Sequence, residues 1–152
     1  MAGAPYVAVV GPSEPPDAAL ADAEAVGAEL ARRGAVVVCG GRGGAMEAVC
    51  RGAAGAGGVT VGLLPGSDRS EANEWVSVAV ATGLGELRNG LVVRAADAVI
   101  AVAGGYGTLS EIGFALRIGR PVVGLGTWEI EGIVVASDPA DAVHRALSLA
   151  AH

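Results

Sequence analysis

Lysine is absent: all ten basic residues of this 152-residue chain are arginines. A Walker-type phosphate loop needs its Lys and a pyridoxal phosphate enzyme needs a Lys for its Schiff base, so both chemistries are excluded. Aromatic residues make up only 3% of the chain. The core must therefore be assembled from Val, Leu, Ile and Ala. The two cysteines, Cys39 and Cys50, do not have a metal-ligand spacing, and without a secretory signal they read as reduced thiols in the cytoplasm. His144 and His152 lie near or at the C-terminus, too few and too remote for a catalytic dyad or a zinc site, so no metal is expected. No apolar run approaches the roughly 20 residues of a membrane helix, and no membrane partner is expected. Like charges nowhere run together and the net charge is −6, which argues against a nucleic-acid partner.

What is abundant is glycine, with 25 residues placed at the ends of apolar runs rather than in a repeat, in a chain that is 52% hydrophobic. Unbroken apolar runs alternate with helix-patterned stretches. Strands are predicted at Tyr6–Val10, Val36–Cys39, Val59–Leu64, Trp75–Val80, Ala98–Val102, Val122–Leu125 and Ile133–Val135. Helices are predicted at Pro16–Arg33, Ala45–Ala54, Leu84–Ala96, Thr108–Ile118 and Pro139–Ala150. Continuous rather than alternating apolar strands, each leading into a helix, mean a parallel sheet covered on both faces. The expected architecture is α/β, a Rossmann-like doubly wound parallel sheet forming a single domain over 1–152.

In such sheets ligands bind beyond the carboxyl ends of the strands, beside helix N-termini. Three of those ends carry glycine loops: Gly11-Pro12-Ser13, Gly40-Gly41-Arg42-Gly43-Gly44 and Gly104-Gly105-Tyr106-Gly107-Thr108. Glycines let backbone N–H groups approach an anion closely, and a helix N-terminus adds its dipole. The first loop is not G-x-G-x-x-G, and Cys39-Gly40 offers no acid for a ribose, so a dinucleotide cofactor is not expected. Thr108-x-x-Glu111 can be read in two ways, as a capping box or as a carboxylate aimed at a ligand. Arg88 can grip a phosphate through two parallel hydrogen bonds, or pair with a surface acid. Glu47 can meet a ribose hydroxyl or answer the helix dipole, Asn73 can cover the site or make a turn, Arg42 can add charge to the second loop or point to solvent, and Tyr106 can stack on a flat base. Cys39 and Cys50 are expected to be small buried hydrophobes.

Gly104-Gly105-Tyr106-Gly107-Thr108-Leu109-Ser110-Glu111 closely resembles the PGGxGTxxE signature of the Lonely Guy (LOG) family, formerly mislabelled lysine decarboxylases. The family's helix arginine falls on Arg88, and Gly40-Gly41-x-x-Gly44-x-Met46 resembles its upstream glycine motif. Ala103 stands where the motif has Pro, Asn89 where the family has Lys, and Glu86-Leu87 where it has Met-His. With Leu63-Leu64-Pro65-Gly66 and Ala72-Asn73, these features look more like a sister branch that includes the molybdenum cofactor carrier proteins. The resemblance implies a phosphorylated small-molecule ligand, a nucleotide or a molybdopterin-type compound, with no further cofactor required. Its phosphate would be held by Gly104, Gly105, Gly107, Thr108 and Arg88, with Gly11, Ser13, Gly40, Gly41 and Gly44 completing the cradle. Two functions are implied. In one the protein binds or carries the ligand without turnover. In the other it is a phosphoribohydrolase that cleaves the N-glycosidic bond of nucleoside 5′-monophosphates, with Glu111 and Arg88 as catalytic groups. The resemblance also implies a homodimer or higher homo-oligomer, through Leu84–Ala96 and the helix after Thr108.

Overall fold

The computed structural model describes residues 3–151; His152 lies outside the described residues. Seven strands form one sheet: β1 (Tyr6–Val10), β2 (Val36–Cys39), β3 (Thr60–Leu64), β4 (Val78–Ala81), β5 (Ala98–Val102), β6 (Val122–Leu125) and β7 (Val134–Val135). Their order is β4-β3-β2-β1-β5-β6-β7, and every neighbouring pair is parallel. Five helices cover it: α1 (Asp17–Arg32), α2 (Ala45–Gly55), α3 (Arg88–Arg94), α4 (Tyr106–Arg117) and α5 (Pro139–Ala150). The doubly wound parallel sheet read from the sequence is the fold. Its strand order reverses direction between β1 and β5, which makes that junction the topological switch point.

Alternation along each strand divides the apolar residues between two layers. Val7, Val9, Val37, Cys39, Ile100 and Val102 face α1, α2 and α5, where Val26, Leu30, Val49, Ala53, Val143 and Ala146 meet them. Ala8, Val10, Val38, Val99 and Ala101 face α3 and α4, and pack against Val92, Val93, Ile112 and Ala115. Burial on both faces is why these strands read as continuous apolar runs.

Small residues matter most between α1 and α2. A Cβ on Gly27 would lie 2.0 Å from the Val49 carbonyl oxygen, and one on Gly52 would lie 1.9 Å from that of Glu24. Gly52→Ala gains about 1 kcal/mol of helix propensity, but it drives a methyl group into backbone that cannot rotate away. Overpacking of this kind costs about 1–3 kcal/mol, and here the obstacle is rigid, so the clash wins. The expected result is a net drop in melting temperature of at least ~2 °C by scanning calorimetry; an unchanged or raised value would show that α1 and α2 can separate freely.

Two elements begin three or more residues away from the sequence reading. The expected strand Trp75–Val80 is shifted to Val78–Ala81, because residues before it are tied into a turn: Val76 N–H donates to Asn73 O (3.2 Å), and Thr60 Oγ1 donates to Trp75 O (2.7 Å). The expected helix Leu84–Ala96 is only Arg88–Arg94, preceded by a 3₁₀ turn over Gly85–Leu87. Gly83 and Gly85 adopt positive φ (+67° and +60°), so an α-helix cannot extend back through them. Arg88 is therefore the first residue of its helix.

Candidate ligand-binding site

The three glycine loops meet at the switch point. A Cβ on Gly11 would lie 2.7 Å from Ala45 Cβ and 2.9 Å from Val102 O, so the end of β1, the start of α2 and the end of β5 are in direct contact. Gly44 has φ +66°, and a Cβ there would lie 2.2 Å from Ser13 O, which presses the second loop onto the first. Ala45 N–H donates to Pro12 O (3.1 Å) across the same seam. From the far side Asn73 staples the second loop, its Nδ2 donating to Gly41 O (3.3 Å) and Arg42 O (2.8 Å).

Between the loops lies an open cavity of about 710 Å³, within the ~300–1,000 Å³ common for small-molecule sites. Gly11, Ser13, Gly40, Arg88, Gly105, Gly107, Thr108 and Glu111 all line it. The other three candidates do not. Gly41 (φ +78°) turns against Gly62, Gly44 braces Ser13, and Gly104 makes room for Trp128, whose Nε1 would lie 2.9 Å from a Cβ there. Arg42 and Tyr106 are also in the lining, whereas Glu47 and Asn73 are not.

The chemistry concentrates where α4 begins. Gly105 is the N-cap residue in an extended conformation, and no side chain caps this end. The first helical bond is Leu109 N–H to Gly105 O (2.9 Å), which leaves the N–H groups of Tyr106, Gly107 and Thr108 ahead of the ladder. Thr108 thus lies inside the first turn rather than at its cap, and the capping-box reading of Thr108 and Glu111 does not hold. Thr108 Oγ1 is buried without a hydrogen-bond partner. Glu111, one turn on, is 9% exposed. Burial raises its carboxyl pKa to about 7, opposed by the positive charge of Arg88. Arg88 does not close an ion pair with it: Nη1 donates to Asn89 Oδ1, and Nε is buried with no partner. Burial in turn lowers the guanidinium pKa. The cavity therefore combines a half-buried guanidinium, an uncapped helix N-terminus, an orphaned hydroxyl and a carboxyl group held near neutrality. A helix N-terminus with free N–H groups beside a guanidinium suits an anionic group.

Residues 4–150 match the SLOG cluster4 family. The chain belongs to that family. An uncharacterized protein from Archaeoglobus fulgidus is 38% identical over 143 residues, 93% of this chain and 94% of that one. The molybdenum cofactor binding protein from Rippkaea orientalis superposes with a TM-score of 0.93 at 33% identity, covering 98% of this chain and 99% of the other. The molybdenum cofactor carrier protein from Chlamydomonas reinhardtii gives a TM-score of 0.91 at 32% identity, covering 99% and 100%. The LOG-like, carrier-branch resemblance read from Gly104–Glu111 and Arg88-Asn89 is borne out.

In this SLOG cluster4 protein the departure of Ala103 from the motif's Pro has a backbone cause. Ala103 is the one non-glycine residue at positive φ (+57°) among the described residues, and its N–H donates to Leu125 O (3.2 Å). Proline can neither adopt that φ nor donate that bond. Ala103→Pro is expected to cost ~3 kcal/mol or more, read as a lower urea midpoint; a midpoint equal to wild type would mean that the loop readily adopts another exit from β5.

Sequence reasoning passed over Pro65, Gly85 and Glu86, which line the cavity through the loop after β3 and the turn before α3. Pro65 and Glu86 fall in segments that carry the family resemblance, but nothing in their residue types assigned them to the site. Cys39 and Cys50 are buried free thiols with their sulfurs 3.4 Å apart. Their shared hydrogen bond pushes the Cys39 thiol pKa up and the Cys50 thiol pKa down, and the full burial of both fits the expected role of small core residues. No helix among the described residues is long and apolar enough to cross a membrane.

Proposed function

We propose that this protein is a cytoplasmic binding or carrier protein for a small phosphate-bearing molecule with a nucleotide-like or pterin-like ring. One observation carries the reading: Arg88 and Thr108, each with a buried polar atom that has no partner, line the same cavity as the uncapped N-terminus of α4. The phosphate would sit against Gly105, Gly107 and Thr108 with Arg88 beside it, and Gly11, Ser13 and Gly40 would form the opposite wall. The likeness to molybdenum cofactor binding and carrier proteins over nearly the whole chain supports a pterin-type cargo. Three leucines stand exposed along the 3₁₀ turn and α3 (Leu84, Leu87 and Leu91), which supports self-association through this edge.

A second reading, the nucleoside 5′-monophosphate phosphoribohydrolase, is favoured by Glu111 alone. A carboxyl group with a pKa of about 7, unpaired and in the cavity, is suited to proton transfer near neutral pH. Incubation with a panel of nucleoside 5′-monophosphates, with free base followed by chromatography and thermal stabilisation measured in parallel, separates the two. Stabilisation without base release, lost in Arg88→Ala, is the expected result. Base release abolished by both Arg88→Ala and Glu111→Gln would establish the hydrolase instead. If neither those nucleotides nor pterin phosphates stabilise the protein or react, the site reading is overturned.

A further inference from the structure

We infer that the exposed ring of Tyr106 is a stacking platform for the planar nitrogen heterocycle of the ligand, with Trp128 packed beside it. This rests on the proposed phosphate-ligand function and assigns the other half of the molecule to named residues.

The chain has only two tryptophans, two tyrosines and one phenylalanine. One Tyr and one Trp are spent on a single stack at the rim of the cavity, with ring centroids 6.3 Å apart and planes 29° from parallel. Tyr106 is 86% exposed while lining the cavity, an unfavourable place for a large apolar ring unless something covers it. The stack is built rather than incidental. Trp128 Nε1 donates to Gly105 O (3.2 Å), which fixes the indole on the same loop that carries Tyr106. Gly104 leaves the room this requires, since a Cβ there would lie 2.9 Å from Nε1 and 3.1 Å from Cδ1 of the indole. The Tyr106 ring thus packs offset against Trp128 and remains largely open to the cavity and solvent.

The placement also suits a two-part ligand. Tyr106 is the first residue of α4, and a helical Cα–Cβ bond tilts toward the N-terminus, so its ring leans back over the glycine loop. Thr108 and Glu111, both buried, occupy the inner side of the same helix. An anionic group bound at the helix end therefore leaves an attached ring within reach of the rim. Every fused nitrogen heterocycle has a π-face, and stacking on an aromatic side chain is tolerant of ring identity. That matches a purine or a pterin, and it gives no advantage to a bare sugar phosphate.

The test compares affinities of wild type, Tyr106→Ala and Tyr106→Phe for guanosine 5′-monophosphate, neopterin 3′-phosphate and ring-free ribose 5-phosphate by titration calorimetry. The expected result is that Tyr106→Ala weakens the tighter of the two ring-bearing ligands by roughly 5- to 150-fold. Tyr106→Phe should stay near wild type, and ribose 5-phosphate should bind all three proteins alike. Unchanged ring-ligand affinity in Tyr106→Ala overturns the inference, and so does an equal loss for ribose 5-phosphate, which would mean that the loop itself had moved. Wild type that binds ribose 5-phosphate as tightly as both ring ligands would overturn the platform while leaving the anion site standing. Wild type that binds none of the three would overturn both.

Discussion

Glu111→Gln is expected to make the ligand-free protein more stable at pH 8, by about 3 kcal/mol. The sign follows from where the proton resides. Glu111 has a pKa of about 7 in the folded chain against an ordinary value of 4.5, because burial penalises its charge more than Arg88 compensates. Below pH 4.5 both folded and unfolded forms are protonated and the group contributes nothing to pH dependence. Between 4.5 and 7 the unfolded chain has released its proton while the folded chain retains it, so stability falls as pH rises. Above 7 both are ionised and the full loss, near 1.36 kcal/mol for each unit of displacement, is in place. Glutamine preserves the shape and removes the titration. The variant's melting temperature should exceed that of wild type by roughly 6–12 °C at pH 8, with the pH-dependent part of the difference fading toward pH 4. Calorimetry at the two pH values decides it, and a Gln variant no more stable than wild type at pH 8 would remove the buried, uncompensated carboxylate from the account. Such a residue is retained at a stability cost, which points to a role at the site.

Arg88→Ala should weaken binding. The phosphate would lose its charged partner, and one charge-assisted hydrogen bond contributes about 1.5–3 kcal/mol. Affinity for ribose 5-phosphate and for phosphate-bearing ring ligands should fall at least roughly ten-fold, while the unphosphorylated nucleoside or pterin should lose little. Arg88→Lys keeps the charge without the two-pronged geometry and should fall in between. The same substitution has an electrostatic signature without any ligand. Arg88 is what holds the Glu111 carboxyl down, so its removal should move the Glu111 titration to higher pH, followed by carboxyl NMR. An unmoved titration would separate the two groups; equal losses for phosphorylated and unphosphorylated ligands would place Arg88 away from the phosphate.

Much of this protein was legible in its residues. Strands at Tyr6–Val10, Val36–Cys39, Ala98–Val102 and Val122–Leu125 match the reading to the residue, because strands buried on both faces are unbroken apolar runs, closed by glycine at once or, after Val102, one residue later. Helix α5 was equally plain, with Asp138 capping Asp141 N–H (2.8 Å) and Pro139 opening the helix. The glycine loops and the Gly104–Glu111 motif pointed to the end of the sheet where the cavity lies, and eight of the eleven candidate residues line it.

Contacts between segments decided the rest. Whether Glu111 capped its own helix or faced a cavity depended on α4 beginning at Tyr106 rather than Thr108, a shift of half a turn set by the loop's packing on Pro12 and Trp128. Gly41, Gly44 and Gly104 look like their neighbours in sequence, yet each is reserved for a close approach by Gly62, Ser13 or Trp128, residues the chain brings in from elsewhere. Arg88 opens α3 because two glycines in left-handed conformations break the helix before it. Periodicity and glycine placement record the local backbone and the burial of each face. The ionisation of Glu111, the orphaned donors and the Tyr106–Trp128 stack arise from distances across the fold, and those exist only once the strands are paired.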